Sequence, residues 1–193
     1  MVRGAHVLEI GAGVGAVGNA LASIFGAHCY TTDLPHVLPL LQANADANSD
    51  GSAGTVEVRP LVWGQTAGEM FEQPWKLICA ADVCYDAALI PPLGTTLRAL
   101  LSAQPEASVL LALSDLHGGV SGTGRPNYFT LLHNELAGLK HEQIASLPGA
   151  ELVERYGGDV LIADTHRTHQ IDIFLIKGDN GQSKRTETWH GCR

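Results

Sequence analysis

An open α/β sheet, parallel and covered by helices on both faces, is the fold class that three observations predict. Short apolar runs alternate with helix-period stretches, a glycine-rich turn follows the first run, and 193 residues suit one domain with a sizeable core. Val7, Leu8 and Ile10 make the first strand, and Val17, Leu21, Ile24 and Phe25 then fall at helical spacing, with Gly26 closing that helix as its C′ residue. His28 to Thr32 is the second strand, ending at Asp33. Pro35 is expected at N1 of the next helix, whose buried stripe is Val37, Leu38, Leu41 and Ala45, before the turn Ser49-Asp50-Gly51-Ser52. Val56 and Val58 alternate on a third strand. Leu77, Ile78 and Cys79 begin a fourth that runs into Ala80-Ala81-Asp82, and the helix after it carries Leu93, Leu97, Leu100 and Leu101. Ser108 to Leu113 is the fifth strand, followed by a polar, glycine-rich loop from Asp115 to Arg125. A helix from Tyr128 to Leu139, a strand from His141 to Leu147 and a last strand from Ile171 to Ile176 bring the candidate strands to seven; residues 148–170 carry no clear pattern. The domain is expected to span residues 1–177, and Gly178 to Arg193, without apolar periodicity, reads as a disordered tail.

Composition narrows the function. Hydrophobic residues make up 45% and charged residues 17%, which excludes an intrinsically disordered chain. The formal net charge of −8, from 12 basic and 20 acidic residues, offers little to a phosphate backbone, so no nucleic-acid partner is expected and an acidic surface suits basic targets. No apolar run approaches the ~18 residues of a membrane helix, and Glu9 interrupts the first apolar stretch too early for a signal-peptide core. The expectation is a soluble monomer. Four cysteines, Cys29, Cys79, Cys84 and Cys192, form no CxxC pair and no zinc-ligand spacing, and read as reduced thiols of a cytoplasmic protein, with the nucleus as a second location.

The 22 glycines stand well above the usual ~7%. Gly11, Gly13 and Gly15 alternate between the first strand and the first helix, where positive φ and a missing Cβ let a ligand come close and where the helix presents unpaired N–H groups. A tight turn without ligand is the plain alternative. Gly13 to Gly18 also matches GxGxxG, and Asp33 lies at about the ~20-residue spacing of a ribose ligand, as in a dinucleotide site. Glu9 argues against that reading, since a carboxylate two residues before the first glycine adds charge where a pyrophosphate must be neutralised. S-adenosylmethionine fits better: it has no phosphate, and its amino acid end carries an ammonium, so Glu9 is tolerable and can organise the loop's amides. Asp33 can accept both ribose hydroxyls.

Trp63, after the third strand, either covers a flat adenine or caps the core. Asp82-Val83-Cys84-Tyr85 ends the fourth strand, beside the topological switch point where open α/β sheets bind ligands. In-line transfer of a methyl group from a sulfonium needs a neutral nucleophile held about 3 Å from the methyl carbon in a water-poor site. A lysine ammonium must first lose a proton, and Asp82 can attract and align it while Tyr85 offers a ring face and a hydroxyl. The alternative for Asp82 is a helix N-cap. The Asn-Pro-Pro-Tyr motif suited to amide or adenine acceptors is absent.

With Glu9-x-Gly11-x-Gly13-x-Gly15, Thr32-Asp33-Leu34-Pro35, Leu61-Val62-Trp63-Gly64-Gln65 and Ala81-Asp82-x-x-Tyr85 in order, the chain resembles the lysine methyltransferase family 16 of seven-β-strand enzymes over residues 5–147. The resemblance implies a Rossmann-like doubly wound seven-stranded sheet, mostly parallel with the last strand antiparallel. It also implies S-adenosylmethionine as donor and a lysine of a protein, typically a chaperone or translation elongation factor, as acceptor. By position, Gly11, Ala12 and Gly13 line the methionine end, Asp33 the ribose, and Trp63 and Ala81 the adenine; Glu9, Gly15 and Leu34 complete the cofactor set, with Asp82 and Tyr85 at the reaction centre. Family members usually carry a leader before the glycine motif, with a Trp that covers the cofactor, whereas this chain begins almost at its first strand, so weak cofactor retention is expected. The loops after the fifth strand leave the target open. Asp115 and His117 are further cleft candidates or plain loop residues; His166 and His169 lack a third ligand, and no metal is assigned. Lys184 and Arg185 are too few for a nucleic-acid or localisation patch. The competing functions are N-methylation of a small amine and a catalytically silent binding module of the same fold.

Overall fold

The computed structural model describes residues 2–114, 128–148 and 170–178. Its elements run β1 (His6–Ile10), α1 (Ala16–Phe25), β2 (His28–Asp33), α2 (Leu38–Ala47), β3 (Thr55–Pro60), α3 (Glu69–Glu72), β4 (Leu77–Ala81), α4 (Ile90–Ala103), β5 (Ser108–Ser114), α5 (Tyr128–Glu135), β6 (Lys140–Pro148) and β7 (Gln170–Lys177). Seven strands form one sheet in the order β3-β2-β1-β4-β5-β7-β6. Strands β1 to β5 are mutually parallel, and β7 lies antiparallel to both neighbours, as the doubly wound reading with one reversed strand requires. The order turns around between β1 and β4, so their carboxyl ends open the crevice in which such sheets take ligands.

Leu8 and Ile10 face the larger core, which holds Ile78, Leu111 and Phe174 under α4 and α5. On the opposite face Val7, Cys29 and Cys79 pack under α1 with Ala22 and Ala27. The four leucines foreseen on α4 are all buried, because the 3.6-residue period aims them at one sheet face.

Four details differ from the sequence reading. Ile24 and Phe25 are not core residues: they are 71% and 53% exposed. Helix α1 turns its small-residue stripe, Gly18 and Ala22, to the sheet, so closely that a Cβ at Gly18 would stand 2.1 Å from Thr31 Cγ2; bulky side chains are left off that stripe. Pro35 is not at N1 either. Helix α2 starts at Leu38, with Val37 as N-cap and Pro39 in the first turn. Helix α5 stops at Glu135 rather than Leu139, and Gly138, at φ 90°, turns the chain into β6. Helix α3 was not foreseen at all; it is a single turn that buries Met70 and Phe71, with Trp75 Nε1 donating to the Met70 carbonyl at 2.6 Å. Asp115, His117, His166, His169, Lys184, Arg185 and residues 179–193 lie outside the described residues. Among the described residues no helix is long and apolar enough to cross a membrane, and no three potential ligands are grouped to hold a metal ion.

Candidate active site

The three alternating glycines after β1 all occupy the left-handed region, with φ of 65° at Gly11, 55° at Gly13 and 79° at Gly15, so each needs the freedom of glycine. Their surroundings differ. A Cβ at Gly11 would stand 2.9 Å from both Trp63 Cζ2 and Val83 Cγ1, and one at Gly15 would stand 2.5 Å from Leu41 Cδ1. At Gly13 nothing lies within 4 Å. Gly11 and Gly15 therefore let the protein pack on itself, whereas Gly13 leaves open space in front of the loop.

Asp33, at the carboxyl end of β2, faces that space. Its Oδ2 accepts from the Gly13 amide at 2.7 Å and its Oδ1 from the Leu34 amide at 2.7 Å. A carboxylate has about four lone-pair sites. Two are committed to the backbone and orient the group, and two remain for a vicinal diol. The loop is pinned further by Ala12 N–H on the Thr32 carbonyl at 3.0 Å and by the Thr32 hydroxyl on the Glu9 carbonyl at 2.7 Å.

Glu9 sits elsewhere than the loop-organising reading placed it. Strand alternation turns its side chain to the α1 face, where it is 3% exposed, and its Oε2 accepts from the Gly18 amide at 2.9 Å. Gly18 belongs to the first turn of α1, so Glu9 satisfies one of the helix's orphan donors instead of the amides of the glycine turn. Burial, more than the charge of Asp33, pushes its carboxyl up to about 7, against the pull of the Gly18 hydrogen bond.

Trp63 and Ala81 are half-buried, and Trp63 packs on the larger core as well as over Gly11, so the indole spans the core and the site. Two residues that the sequence did not single out hold this arrangement. The Thr96 hydroxyl, fully buried on α4, accepts from the Gly64 amide at 2.8 Å and donates to the Gln65 carbonyl at 3.4 Å, fixing the loop that carries Trp63. Val83, 2% exposed, is the second contact over Gly11. No sequence signal marks either one, since their partners are distant in the chain.

Asp82 is the one non-glycine residue with positive φ among the described residues, at 55°. Its amide donates to the Ala112 carbonyl of β5 at 2.9 Å, and the left-handed turn sends the chain out of the sheet, a conformation Asp tolerates better than most residues. Asp82 and Tyr85 face outward, while Val83 and Cys84 are buried between them. Burial pushes the Cys84 thiol up to about 12, with the Asp82 charge adding to it, so the thiol stays protonated. Asp82 is not an N-cap. That role falls to Asp86, whose Oδ1 accepts from Ala88 N–H at 2.9 Å ahead of the 3₁₀ turn Ala87–Leu89.

The expected cofactor and reaction-centre residues thus gather at the carboxyl ends of β1, β2, β3 and β4, with Glu9 alone tucked behind. Residues 1–122, well over half of the chain, match the family model described as lysine methyltransferase. The chain belongs to that family. Two similar curated relatives are the EEF1A lysine methyltransferase 3 of Xenopus tropicalis and the protein N-lysine methyltransferase METTL21A of Danio rerio. The first is 38% identical over 110 residues, 57% of this chain and 47% of the relative; the second is 35% identical over 102 residues, 52% and 46%. This lysine methyltransferase family member spans about half the length of the curated relatives it matches. Its fold is shared with a crystal structure of a SAM-dependent methyltransferase from Aquifex aeolicus, at a TM-score of 0.60, 12% identity, and coverage of 91% of this chain and 83% of that one.

Proposed function

We propose that the chain transfers the methyl group of S-adenosylmethionine to a lysine side chain of a folded protein, a translation factor or a chaperone, with residues 1–177 as the transferase domain. The observation that carries the reading is the oriented Asp33 facing the open side of Gly13 in a member of this family. When bound, S-adenosylmethionine supplies an electrophilic methyl on a sulfonium. Asp33 would hold the ribose diol on its two remaining lone-pair sites, and Gly13, where no Cβ stands in the way, would admit the methionine end. Trp63 and Ala81 would flank the adenine, with Leu34 beside the ribose. Asp82 and Tyr85, on the outward side of the β4 turn, receive the acceptor lysine. The Asp82 carboxylate would attract the ammonium and, once that ammonium has given its proton to solvent water, align the neutral amine, and the Tyr85 ring and hydroxyl would give it a wall. Buried thiols at Cys29, Cys79 and Cys84 support a reducing cytoplasmic or nuclear setting.

Calorimetry with S-adenosylhomocysteine and with NAD, on this chain and on Asp33→Ala, tests the cofactor. Binding of the former alone, lost in the variant, is expected; binding of NAD alone would refute the reading. Labelled S-adenosylmethionine in a lysate tests the acceptor, with label expected in protein. Label in small metabolites would mean a small-amine acceptor, and retention without transfer a silent module. Asp82→Ala is expected to abolish transfer and leave cofactor affinity within a few fold.

A further inference from the structure

The apolar side chains left exposed are not scattered over the surface. Of the eight large exposed hydrophobics among the described residues, Val14, Leu34, Val62 and Tyr85 follow the carboxyl ends of β1, β2, β3 and β4. Leu40 joins them: it lies one helical turn before Asn44, whose Nδ2 donates to the Val14 carbonyl at 2.9 Å. These five half-exposed groups form a belt around the open glycine loop, which is how an interaction surface differs from singly scattered apolar residues.

The described lysines keep away from this edge. Asp33, Asp82 and Asp86 stand at this carboxyl edge. Lys76 precedes β4, and the pairings Ser108↔Lys177 and Lys140↔Lys177 place the other two lysines at the opposite edge. Arg98 is spent on the carbonyls of Glu135 and Ala137 beside α5. Arg59, at the end of β3, is paired with Glu57. Among the described residues the edge that holds the site is therefore negative and apolar together, while the lysines sit at the far end of the strands.

We infer that this belt docks a cationic segment of the protein acceptor, one that carries at least one further lysine or arginine and an aliphatic side chain beside the lysine to be methylated. The inference rests on the proposed function and names the acceptor's local chemistry. Aliphatic groups on the segment cover Val14, Leu40 and Val62. The flanking cation meets Asp86, beside the Asp82 that faces the lysine to be methylated, and an acidic segment would be repelled.

The test uses the full chain and a short fluorescent peptide of leucine, lysine and arginine residues, with a control of the same length in which glutamate replaces the arginines. Anisotropy reports peptide binding, and S-adenosylhomocysteine binding is measured on the same samples. The cationic peptide is expected to bind, with affinity falling as salt rises, and the control is not. The double variant Leu40→Ser, Val62→Ser is expected to bind the cationic peptide about tenfold more weakly, ~1.4 kcal/mol, with S-adenosylhomocysteine affinity unchanged. Equal binding of both peptides, or of neither, while S-adenosylhomocysteine binds, would overturn the docking surface and leave the methyltransferase reading standing. Selective peptide binding without S-adenosylhomocysteine binding would uphold the surface and count against that reading.

Discussion

Glu9→Gln isolates the buried carboxylate under α1, and its effect on stability is expected to change with pH. In the folded chain the carboxyl is raised from 4.5 to about 7, chiefly by burial. At ~1.4 kcal/mol per pKa unit that rise amounts to about 3 kcal/mol. Between those two pH values the folded state keeps a proton that the unfolded chain has released, so folding stability is fully present below about pH 4.5 and is lost as pH rises through 7. Glutamine is uncharged throughout, and its carbonyl can accept from Gly18 as the carboxylate does. Urea denaturation of both proteins at pH 5 and pH 8 measures the difference. The variant is expected to be the more stable at pH 8 by up to about 3 kcal/mol and nearly equal to the parent at pH 5. A difference of the same size at both pH values would refute the assignment of a desolvated carboxyl to this site.

Gly11→Ala and Gly13→Ala should part company. The first meets Trp63 and Val83 at a strained φ, and thermal melts should show a loss of about 1–3 kcal/mol with a shifted Trp fluorescence. The second enters open space, so its stability should fall by about 1–2 kcal/mol from backbone strain alone while calorimetry shows S-adenosylhomocysteine binding lost; binding retained in Gly13→Ala would contradict the division of roles. Thr96→Val leaves the Gly64 amide without its partner, an expected cost of about 1–3 kcal/mol by denaturation that Thr96→Ser should largely restore. His133, whose ring meets that of His141 edge-on at 4.5 Å, is held below its ordinary value by burial and by its neighbour. Stability should therefore fall as pH drops through about 6.5, and His133→Gln should flatten that acid-side loss in melts at pH 5.5 and 7.5; an unchanged slope would show the pair to be irrelevant.

The strands were legible because a sheet buried on both faces needs near-continuous apolar runs such as Val7 to Ile10 and Ile78 to Ala81, and no tertiary detail is required to read them. Gly11, Gly13 and Gly15 were legible for a similar reason: positive φ restricts residue choice locally. What escaped depends on contacts across the chain. The hydrogen bond between Gly13 and Asp33 spans 20 positions and that between Gly64 and Thr96 spans 32, so neither leaves a periodicity to find. Ile24 and Phe25 looked like core because helical spacing alone does not tell which stripe fits against the sheet; the close approach of Gly18 to Thr31 decided it. Glu9 sat in the right motif, yet strand alternation, not motif position, sent its carboxylate beneath the helix.

The reversed strand has a bearing on the order in which the molecule can assemble during synthesis. Among the described residues β6 touches the sheet only through β7, and β7 is the last of the seven strands to leave the ribosome. Until Gln170–Lys177 arrives, β6 has no place in the sheet and β5 presents an unpaired edge. The residues of the candidate site, from Glu9 to Tyr85, together with Thr96, are already out by then, and strands β1 to β4 can pair among themselves. A nascent chain can thus own a formed glycine loop while a sticky strand edge is still open, which makes the interval before β7 docks the period of greatest exposure to aggregation and to chaperones.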